Sequence, residues 1–420
     1  MRPSAMSLVR AASVLVAASA LGACVGGSDA KGSGKGGAPG AGGAGGGAGG
    51  SPGSGSGGSG SAGGAGGATG ASTARALAVK LGRPGNFLVG MGNDLANDHN
   101  QDGAYTLGVT LDLHDAYLVG LEGQGGWPDW NAGGTFVNIL ADTAAAHGVV
   151  PMFTLYSFAA QGEARTDILQ NQDFMKRWWD GARLLFDRLA AFDKPAVVHI
   201  EPDYWGFTQQ ASNGDPTKLP ALVTMVPDCA DLPNHIGGVG SCIMRLGRKY
   251  APKAALGLHA SAWGGTPASV VTFMNGVGAQ AGDFVVLDAL DRDAGCFEAH
   301  VDPNCQRNDG PWYWDEANVT HPNFADHLAF AKTIADGTGK PIVWWQVPFG
   351  VPSSTAGGTA GHYRDNRVHY LFAHVGEFIS AGFAGASFGV GAGNQTYITT
   401  DGGQFKSAVT AYLANPIPLP

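Results

Sequence analysis

The sequence has few charged residues and no long uninterrupted apolar run. Only 14% of its 420 residues are Asp, Glu, Lys or Arg, whereas 44% are hydrophobic, which excludes a wholly disordered chain. No stretch reaches the roughly 20 consecutive apolar residues that a membrane-spanning helix needs. From Ala76 onward, 20 basic residues stand against 33 acidic ones, a formal charge of −13. Nucleic-acid binding requires a basic face toward phosphate, so the composition excludes that class.

Residues 1–24 have the pattern of an export signal. Arg2 and Arg10 supply positive charge, residues 11–21 are mostly apolar, and small residues follow. The end of this segment, Leu21-Gly22-Ala23-Cys24, resembles a bacterial lipobox, in which the chain is cut before the cysteine and its thiol is lipidated. We therefore expect an exported bacterial lipoprotein at the outer membrane or cell surface. An ordinary signal peptide with an incidental cysteine is the alternative.

Residues 25–75 are predicted to be a flexible linker. Of the 68 glycines in the chain, 22 lie between Lys31 and Gly70, where serine and alanine supply most of the rest. Such a tract has few side chains to bury, and as a coil of roughly 50 residues it has a mean reach of about 35–42 Å. The remaining residues, 76–420, are enough for one large domain. We expect the linker to hold this domain off a membrane surface, with the N-terminal lipid as its only contact with the membrane.

Apart from Cys24, the chain has four cysteines: Cys229, Cys242, Cys296 and Cys305. In an oxidising compartment they allow three pairings, of which Cys229–Cys242 and Cys296–Cys305 are the simplest. A zinc site would need CxxC-type spacing, which neither pair has. Disulfides are the preferred interpretation.

Eight short β-rich runs alternate with longer helical stretches. The predicted strands are 87–91, 117–121, 151–156, 196–200, 254–258, 284–287, 341–345 and 385–389. The predicted helices are 135–147, 173–192, 241–250, 267–277, 323–336 and 367–381. This alternation favours an α/β fold, a (β/α)8 TIM-type barrel that is irregular near its first two strands. An open doubly wound sheet is the rival, but the first strand is not followed by a complete glycine-rich phosphate loop.

Polar and aromatic side chains gather where the predicted strands end, which is the functional end of such a barrel. Strand alternation places Glu201, Asp203 and Asp288 toward the barrel mouth as candidate catalytic carboxyl groups. The candidate substrate-binding residues are Asp94, Tyr156, Trp205, His259, Trp263, Trp345 and Gln346. Facing carboxyl groups suit glycosidic bond cleavage, and exposed indoles stack on sugar rings, although Trp is also a common core residue.

The segment Ile200-Glu201-Pro202-Asp203 resembles the strand end of the family-six glycoside hydrolases, which are cellulases with a distorted barrel. The order that follows is also similar, with two cysteines and then a strand that ends in Leu258-His259-Ala-Ser-Ala-Trp263. The resemblance implies that Asp203 is the general acid. It does not supply the second carboxyl group, because His259 stands where the family carries an aspartate. Strand geometry favours Asp288 for that role, with Asp94 next.

Two metal sites remain as alternatives. Asp98, Asn100 and Asp102 match the start of a calcium loop, but position 12 is Val109 and not an acid, which favours a plain polar loop. His259 with Glu201 and Asp288 offers ligands for a divalent ion. We expect no cofactor from the leading interpretation.

The sequence thus predicts a surface-tethered, monomeric glycoside hydrolase acting on a β-linked polysaccharide or oligosaccharide. A non-catalytic carbohydrate-binding lipoprotein on a barrel scaffold is the alternative, because a fold does not determine a function. A metal-dependent barrel hydrolase is the third hypothesis.

Overall fold

A computed structural model describes residues 70–92, 103–162, 164–300, 305–352, 363–365, 367–389 and 398–420. Several predictions fall on residues outside these ranges: the signal segment with Cys24, most of the linker, Asp94, and the candidate calcium residues Asp98, Asn100 and Asp102. The first described helix begins at Gly70, within the last residues assigned to the linker.

Eight parallel strands close into a barrel, which confirms the predicted (β/α)8 fold and excludes the open sheet. In chain order, the strands are β1 Leu88–Gly92, β2 Leu113–Val119, β3 Val150–Tyr156, β4 Ala196–Ile200, β5 Ala254–Ala260, β6 Phe284–Asp288, β7 Ile342–Val347, β8 Val351–Pro352, β9 Tyr363–Asp365 and β10 Phe383–Phe388. The short strands β8 and β9 form a separate antiparallel pair. Around the barrel the order is β1-β10-β7-β6-β5-β4-β3-β2, closed by the pairing of β1 with β2.

Helices surround the barrel. They are α1 Gly70–Lys80, α2 Gly103–Thr106, α3 Trp127–Trp130, α4 Phe136–Ala146, α5 Gln172–Phe192, α6 Tyr204–Ala211, α7 Ile236–Tyr250, α8 Pro267–Gly276, α9 Ala294–Ala299, α10 Phe324–Thr338, α11 Arg367–Ala373, α12 Val375–Ser380 and α13 Gln404–Ala414. Within the described ranges, no helix combines the length and the apolar character needed to cross a membrane.

The longest helix, α5, shows how local sequence signals build the outer layer. Asn171 caps its start by accepting a hydrogen bond from the Phe174 amide at 3.0 Å, and Asp193 ends it in a left-handed conformation. Its buried face includes Phe174, Trp178 and Leu185, spaced by four and seven residues. Burial of each such side chain stabilises the fold by about 1.5–3 kcal/mol.

Several predicted elements differ from the structure, and two of them show why. Strand β2 begins at Leu113, four residues before the predicted start, because His114 and Asp115 interrupt the apolar pattern although both are buried. The predicted helix 367–381 is divided into α11 and α12 at His374, which has φ −127° and ψ 27°. Polar residues with tertiary partners can lie inside a strand, and the sequence pattern alone does not reveal those partners.

Both predicted disulfides are present. Cys229–Cys242 joins the loop before α7 to that helix, with a Cα–Cα distance of 5.7 Å. Cys296–Cys305 joins helix α9 to Cys305, with a Cα–Cα distance of 5.3 Å, and packs with Phe297 in a small apolar cluster of its own. These bonds confirm the pairing of cysteines that are near in sequence.

Candidate active site

Asp203 and Asp288 converge on one imidazole at the carboxyl end of the barrel. The Nε2 atom of His259 lies 3.8 Å from an oxygen of Asp203 and 3.8 Å from an oxygen of Asp288. His259 is fully buried, whereas the two carboxyl side chains keep 11% and 13% of their surface exposed. The two oxygens are therefore no further apart than twice this distance, which is below the upper limit of about 9.5 Å for glycosidase carboxyl pairs.

Asp288 is held in place by the neighbouring strand. It is the last residue of β6, and its Oδ1 accepts a hydrogen bond from the Ala262 amide, just beyond β5, at 2.9 Å. Burial is the main factor that raises the pKa of Asp288 to about 7, and the negative charge of Asp203 also raises it. The hydrogen bond from the Ala262 amide and the positive charge of Arg292 lower the pKa but do not cancel the rise. A large share of Asp288 is consequently protonated at neutral pH.

Asp203 reaches the site through a change of backbone direction. Strand β4 ends at Ile200, and both Glu201 (φ +50°) and Asp203 (φ +62°) then adopt left-handed conformations before α6 begins. Strand alternation, from which Glu201 and Asp203 were both expected at the barrel mouth, therefore does not apply here, because the chain does not stay extended through Pro202. Left-handed non-glycine residues cost energy and persist where surrounding contacts hold them.

Glu201 lies in a closed pocket between the end of β3 and helix α5. Its carboxyl oxygens accept hydrogen bonds from the amides of Ser157 and Phe158 at 3.1–3.2 Å and from the indole of Trp178 at 2.6 Å. The side chain is fully buried, and burial raises its pKa to about 8. The placement of Glu201 at the barrel mouth is thus a second correction, since its bonding groups all belong to this enclosed pocket.

A carboxyl group that the sequence reasoning missed lies inside the barrel. Asp115 on β2 is 2% exposed and accepts hydrogen bonds from Thr154 Oγ1 and from Trp345 Nε1, both at 2.8 Å. Burial raises its pKa to about 6. Its period-two spacing from Tyr117, whose ring lies near Trp345, was the one signal that could have placed it on an inward face.

The imidazole of His259 is part of the same interior. Its Nδ1 lies 3.0 Å from Nε2 of His199 on β4, and the rings of both histidines pack against Trp345. Burial lowers the pKa of His259 to about 4, although the charge of Asp203 opposes the shift. His259 is therefore a neutral imidazole at physiological pH.

The predicted aromatic residues divide into three environments. Trp263 is half-buried, and its indole N–H points at Asp203 Oδ1 at 3.4 Å, so it borders the carboxyl pair. Trp345 is 3% exposed and lies in the barrel interior against the rings of His199 and His259. Trp205 is 1% exposed and donates to the Ile200 carbonyl at 2.9 Å, so its prediction as a sugar-binding platform is wrong: it is a core residue.

Two more predicted residues, Gln346 and Tyr156, both contact Tyr117. Gln346 follows Trp345 with a left-handed φ of +51° and donates a hydrogen bond to the hydroxyl of Tyr117. The ring of Tyr156 packs edge-on against Tyr117, with centroids 6.3 Å apart. Tyr117, which was not predicted as a site residue, therefore joins Gln346 on β7 to Tyr156 on β3.

The metal ligand set proposed from the sequence is not assembled. His259 and Asp288 are neighbours, but the oxygens of Glu201 are bonded to the amides and the indole of its own pocket. In the described ranges, no three His, Cys, Asp or Glu side chains are grouped so that they could hold an ion.

Comparisons with known proteins show likeness in three-dimensional structure only. No family model and no curated protein matches the sequence. An endo-beta-1,4-mannanase double mutant from Cellulomonas fimi is similar with a TM-score of 0.47 and 14% identity, covering 83% of this chain and 75% of the mannanase. A beta-glucosidase from Thermotoga maritima has a TM-score of 0.40 and 14% identity, covering 71% of this chain and 77% of the glucosidase. A D-psicose 3-epimerase from Clostridium cellulolyticum has a TM-score of 0.38 and 11% identity, covering 78% of this chain and 98% of the epimerase. At these values the likeness is in the barrel, and it assigns no reaction to this chain.

Proposed function

We propose that this protein is a glycoside hydrolase that cleaves a β-linked polysaccharide with Asp203 and Asp288 as its carboxyl pair. The observation that carries the proposal is the convergence of these two side chains on His259, at the end of the barrel where (β/α)8 enzymes place their chemistry. Two neighbouring carboxyl groups that are partly exposed suit protonation of a leaving oxygen and attack at the sugar carbon.

Asp288 is the better general acid of the two. Its raised pKa, about 7, keeps it substantially protonated near neutral pH, so it can donate to the glycosidic oxygen. Asp203 then serves as the base or the nucleophile, and its negative charge helps to retain the proton on Asp288. This assignment reverses the one implied by the resemblance to family-six cellulases.

The substrate class follows from the surroundings of the pair. The half-buried indole of Trp263 beside Asp203 offers an apolar face for a sugar ring. The acidic charge of the domain favours a neutral glycan over an anionic one. We propose further that the domain acts as a monomer outside the cell, tethered through a lipid on Cys24 and the glycine-rich linker.

The test is release of new reducing ends from a panel of β-linked mannans, glucans and xylans. We expect Asp203→Asn and Asp288→Asn each to lower the rate by about 10²–10⁴-fold. Asp142→Asn, a matched exposed change on α4, should leave the rate unaltered. Circular dichroism and thermal unfolding would establish that the three variants are folded.

Three outcomes would overturn this assignment. Glycan binding without release, unchanged in Asp203→Asn, would identify a carbohydrate-binding protein. Activity that is lost in EDTA and restored by a divalent metal would identify a metal-dependent hydrolase. Full activity in both Asp→Asn variants would remove the carboxyl pair from the mechanism.

A further inference from the structure

A continuous chain of polar side chains crosses the barrel interior behind the carboxyl pair. The indole of Trp345 donates to Asp115 at 2.8 Å, and the hydroxyl of Thr154 donates to the other oxygen of Asp115 at 2.8 Å. Thr154 Oγ1 lies 3.2 Å from His199 Nδ1, and His199 Nε2 lies 3.0 Å from His259 Nδ1. None of these side chains is more than 3% exposed, so water does not compete for their hydrogen bonds.

Counting hydrogens determines the direction of the first half of this chain. The indole of Trp345 can only donate, and the Thr154 hydroxyl has one hydrogen, which points at Asp115. The oxygen of Thr154 is therefore an acceptor toward His199, and His199 must carry its hydrogen on Nδ1.

The hydrogens of His199 and His259 can be assigned in the same way. Burial lowers the pKa of His199 well below its usual value, so its ring is neutral and its Nε2 is an acceptor. His259 must then carry its hydrogen on Nδ1, which leaves a lone pair on Nε2. That atom is fully buried, has no hydrogen-bond partner in the described structure, and lies 3.8 Å from both Asp203 and Asp288.

We propose that Asp115, Thr154, His199 and His259 form a proton relay that holds an unprotonated His259 Nε2 against the carboxyl pair and carries protons between that pair and Asp115. This inference rests on the proposed function, because it gives the relay a glycosidase carboxyl pair to serve. Asp115, Thr154 and His199 are positioning residues in this scheme, since none of them touches the substrate.

The transfer balances as four linked proton shifts. A proton from the carboxyl pair binds His259 Nε2 while the Nδ1 proton of His259 passes to His199 Nε2. The Nδ1 proton of His199 then passes to Thr154 Oγ1, and the former hydroxyl proton of Thr154 passes to Asp115. Both histidines end neutral in the opposite tautomer, and the relay has gained one proton on Asp115.

The two ends of the relay have similar affinities for a proton, which makes transfer in either direction feasible. The pKa of Asp115 is raised to about 6 and that of Asp288 to about 7, in both cases mainly by burial. The groups facing Asp115 are neutral, Thr154 and Trp345, whereas Asp288 also experiences the charges of Asp203 and Arg292. The 3.8 Å contacts exceed a hydrogen bond, so the carboxyl group that exchanges the proton moves closer to His259 Nε2 on substrate binding for the last step.

Asp115→Asn provides a decisive test, because it should reverse the chain without altering a group that touches substrate. The carboxamide oxygen must face the Trp345 indole, which can only donate, so the NH2 group faces Thr154. Thr154 then donates to His199 Nδ1, His199 donates from Nε2, and His259 carries its hydrogen on Nε2.

The measurement is nitrogen-15 NMR of the imidazole rings in the full protein without substrate. The chain has 12 histidines, so the signals of His199 and His259 are assigned by their loss in His199→Gln and His259→Gln. We expect the Nδ1–H form for both rings in the wild type and the Nε2–H form in Asp115→Asn. Thr154→Ser should keep the wild-type tautomers, whereas Thr154→Val should give a mixture of both.

Activity gives an independent second readout. A hydrogen on His259 Nε2 favours ionised Asp288, so the alkaline limb of the rate profile of Asp115→Asn should move to lower pH by about one unit. Unchanged tautomers in both Asp115→Asn and Thr154→Val would overturn the relay. Absence of glycan cleavage in the wild type would overturn the proposed function instead, since the tautomer test does not depend on turnover.

Discussion

Replacing Glu201 with glutamine separates two opposing influences on a fully buried carboxyl group. Burial disfavours the charged form of Glu201, whereas N–H groups of Ser157, Phe158 and Trp178 favour it. The net effect raises its pKa from 4.5 to about 8, so the folded protein binds this proton more tightly than the unfolded chain does. Since one pH unit corresponds to 1.36 kcal/mol, the pH-dependent contribution is about 5 kcal/mol.

Because the pKa of Glu201 is higher in the folded protein than in the unfolded chain, its contribution to stability decreases as pH rises. The stabilising effect of the proton on Glu201 is fully present below the unfolded pKa, near 4.5, and is lost as pH rises through about 8. Glutamine does not titrate in this range. The wild type should therefore lose about 5 kcal/mol of stability relative to Glu201→Gln between about pH 4 and about pH 9.

Guanidinium unfolding of both proteins across this range, with the disulfides intact, measures the difference directly. Other buried carboxyl groups, such as Asp115 and Asp288, titrate in both proteins and cancel in the comparison. Glu201→Gln also turns an amide toward main-chain N–H groups, which adds a pH-independent cost of about 1–3 kcal/mol. A wild type that gains stability over the variant as pH rises would contradict this prediction, because it would mean that hydrogen bonding to Glu201 outweighs its burial.

The remaining predictions concern catalysis, packing and the disulfides. The hydrolysis rate should fall above about pH 7 as Asp288 loses the proton that it donates, and a rate profile flat to pH 9 would contradict its role as the acid. Gly206→Ala would place a Cβ 2.6 Å from Ser261 Cβ, and we expect a loss of about 1–3 kcal/mol in denaturant unfolding. The Cys229→Ser, Cys242→Ser double variant should lose about 3 kcal/mol, since the bond closes a loop of 13 residues; no loss under oxidising conditions would contradict this.

The barrel itself followed from local pattern. Eight apolar runs separated by helical stretches, with glycine or proline signals near several boundaries, are typical of buried parallel strands with crossover helices. The ends of the strands then indicated where chemistry would lie, and Asp203, Asp288 and His259 do meet there. The nearby spacing of the cysteines likewise favoured the two disulfides that are present.

The directions of the side chains just beyond the strands could not be predicted without the tertiary structure. Period-two alternation applies only while the backbone stays extended, and the left-handed φ of Glu201 turned its side chain into a closed pocket instead of the barrel mouth. Trp205 follows the same turn and is buried with its N–H on the Ile200 carbonyl. Turn geometry of this kind is held by surrounding contacts, which local sequence does not specify.

Asp115 is the clearest example of a residue whose contacts the local sequence does not predict. Side-chain periodicity along the chain was enough to predict the eight barrel strands and several of the helices, because it reports which faces are buried. Only closure of the barrel decided that Asp115 would bond Trp345, a residue 230 positions away, and connect through Thr154 and His199 to the carboxyl pair. Hydrogen bonds across a closed barrel join residues with no common local pattern, so they become visible only when the strands are in place.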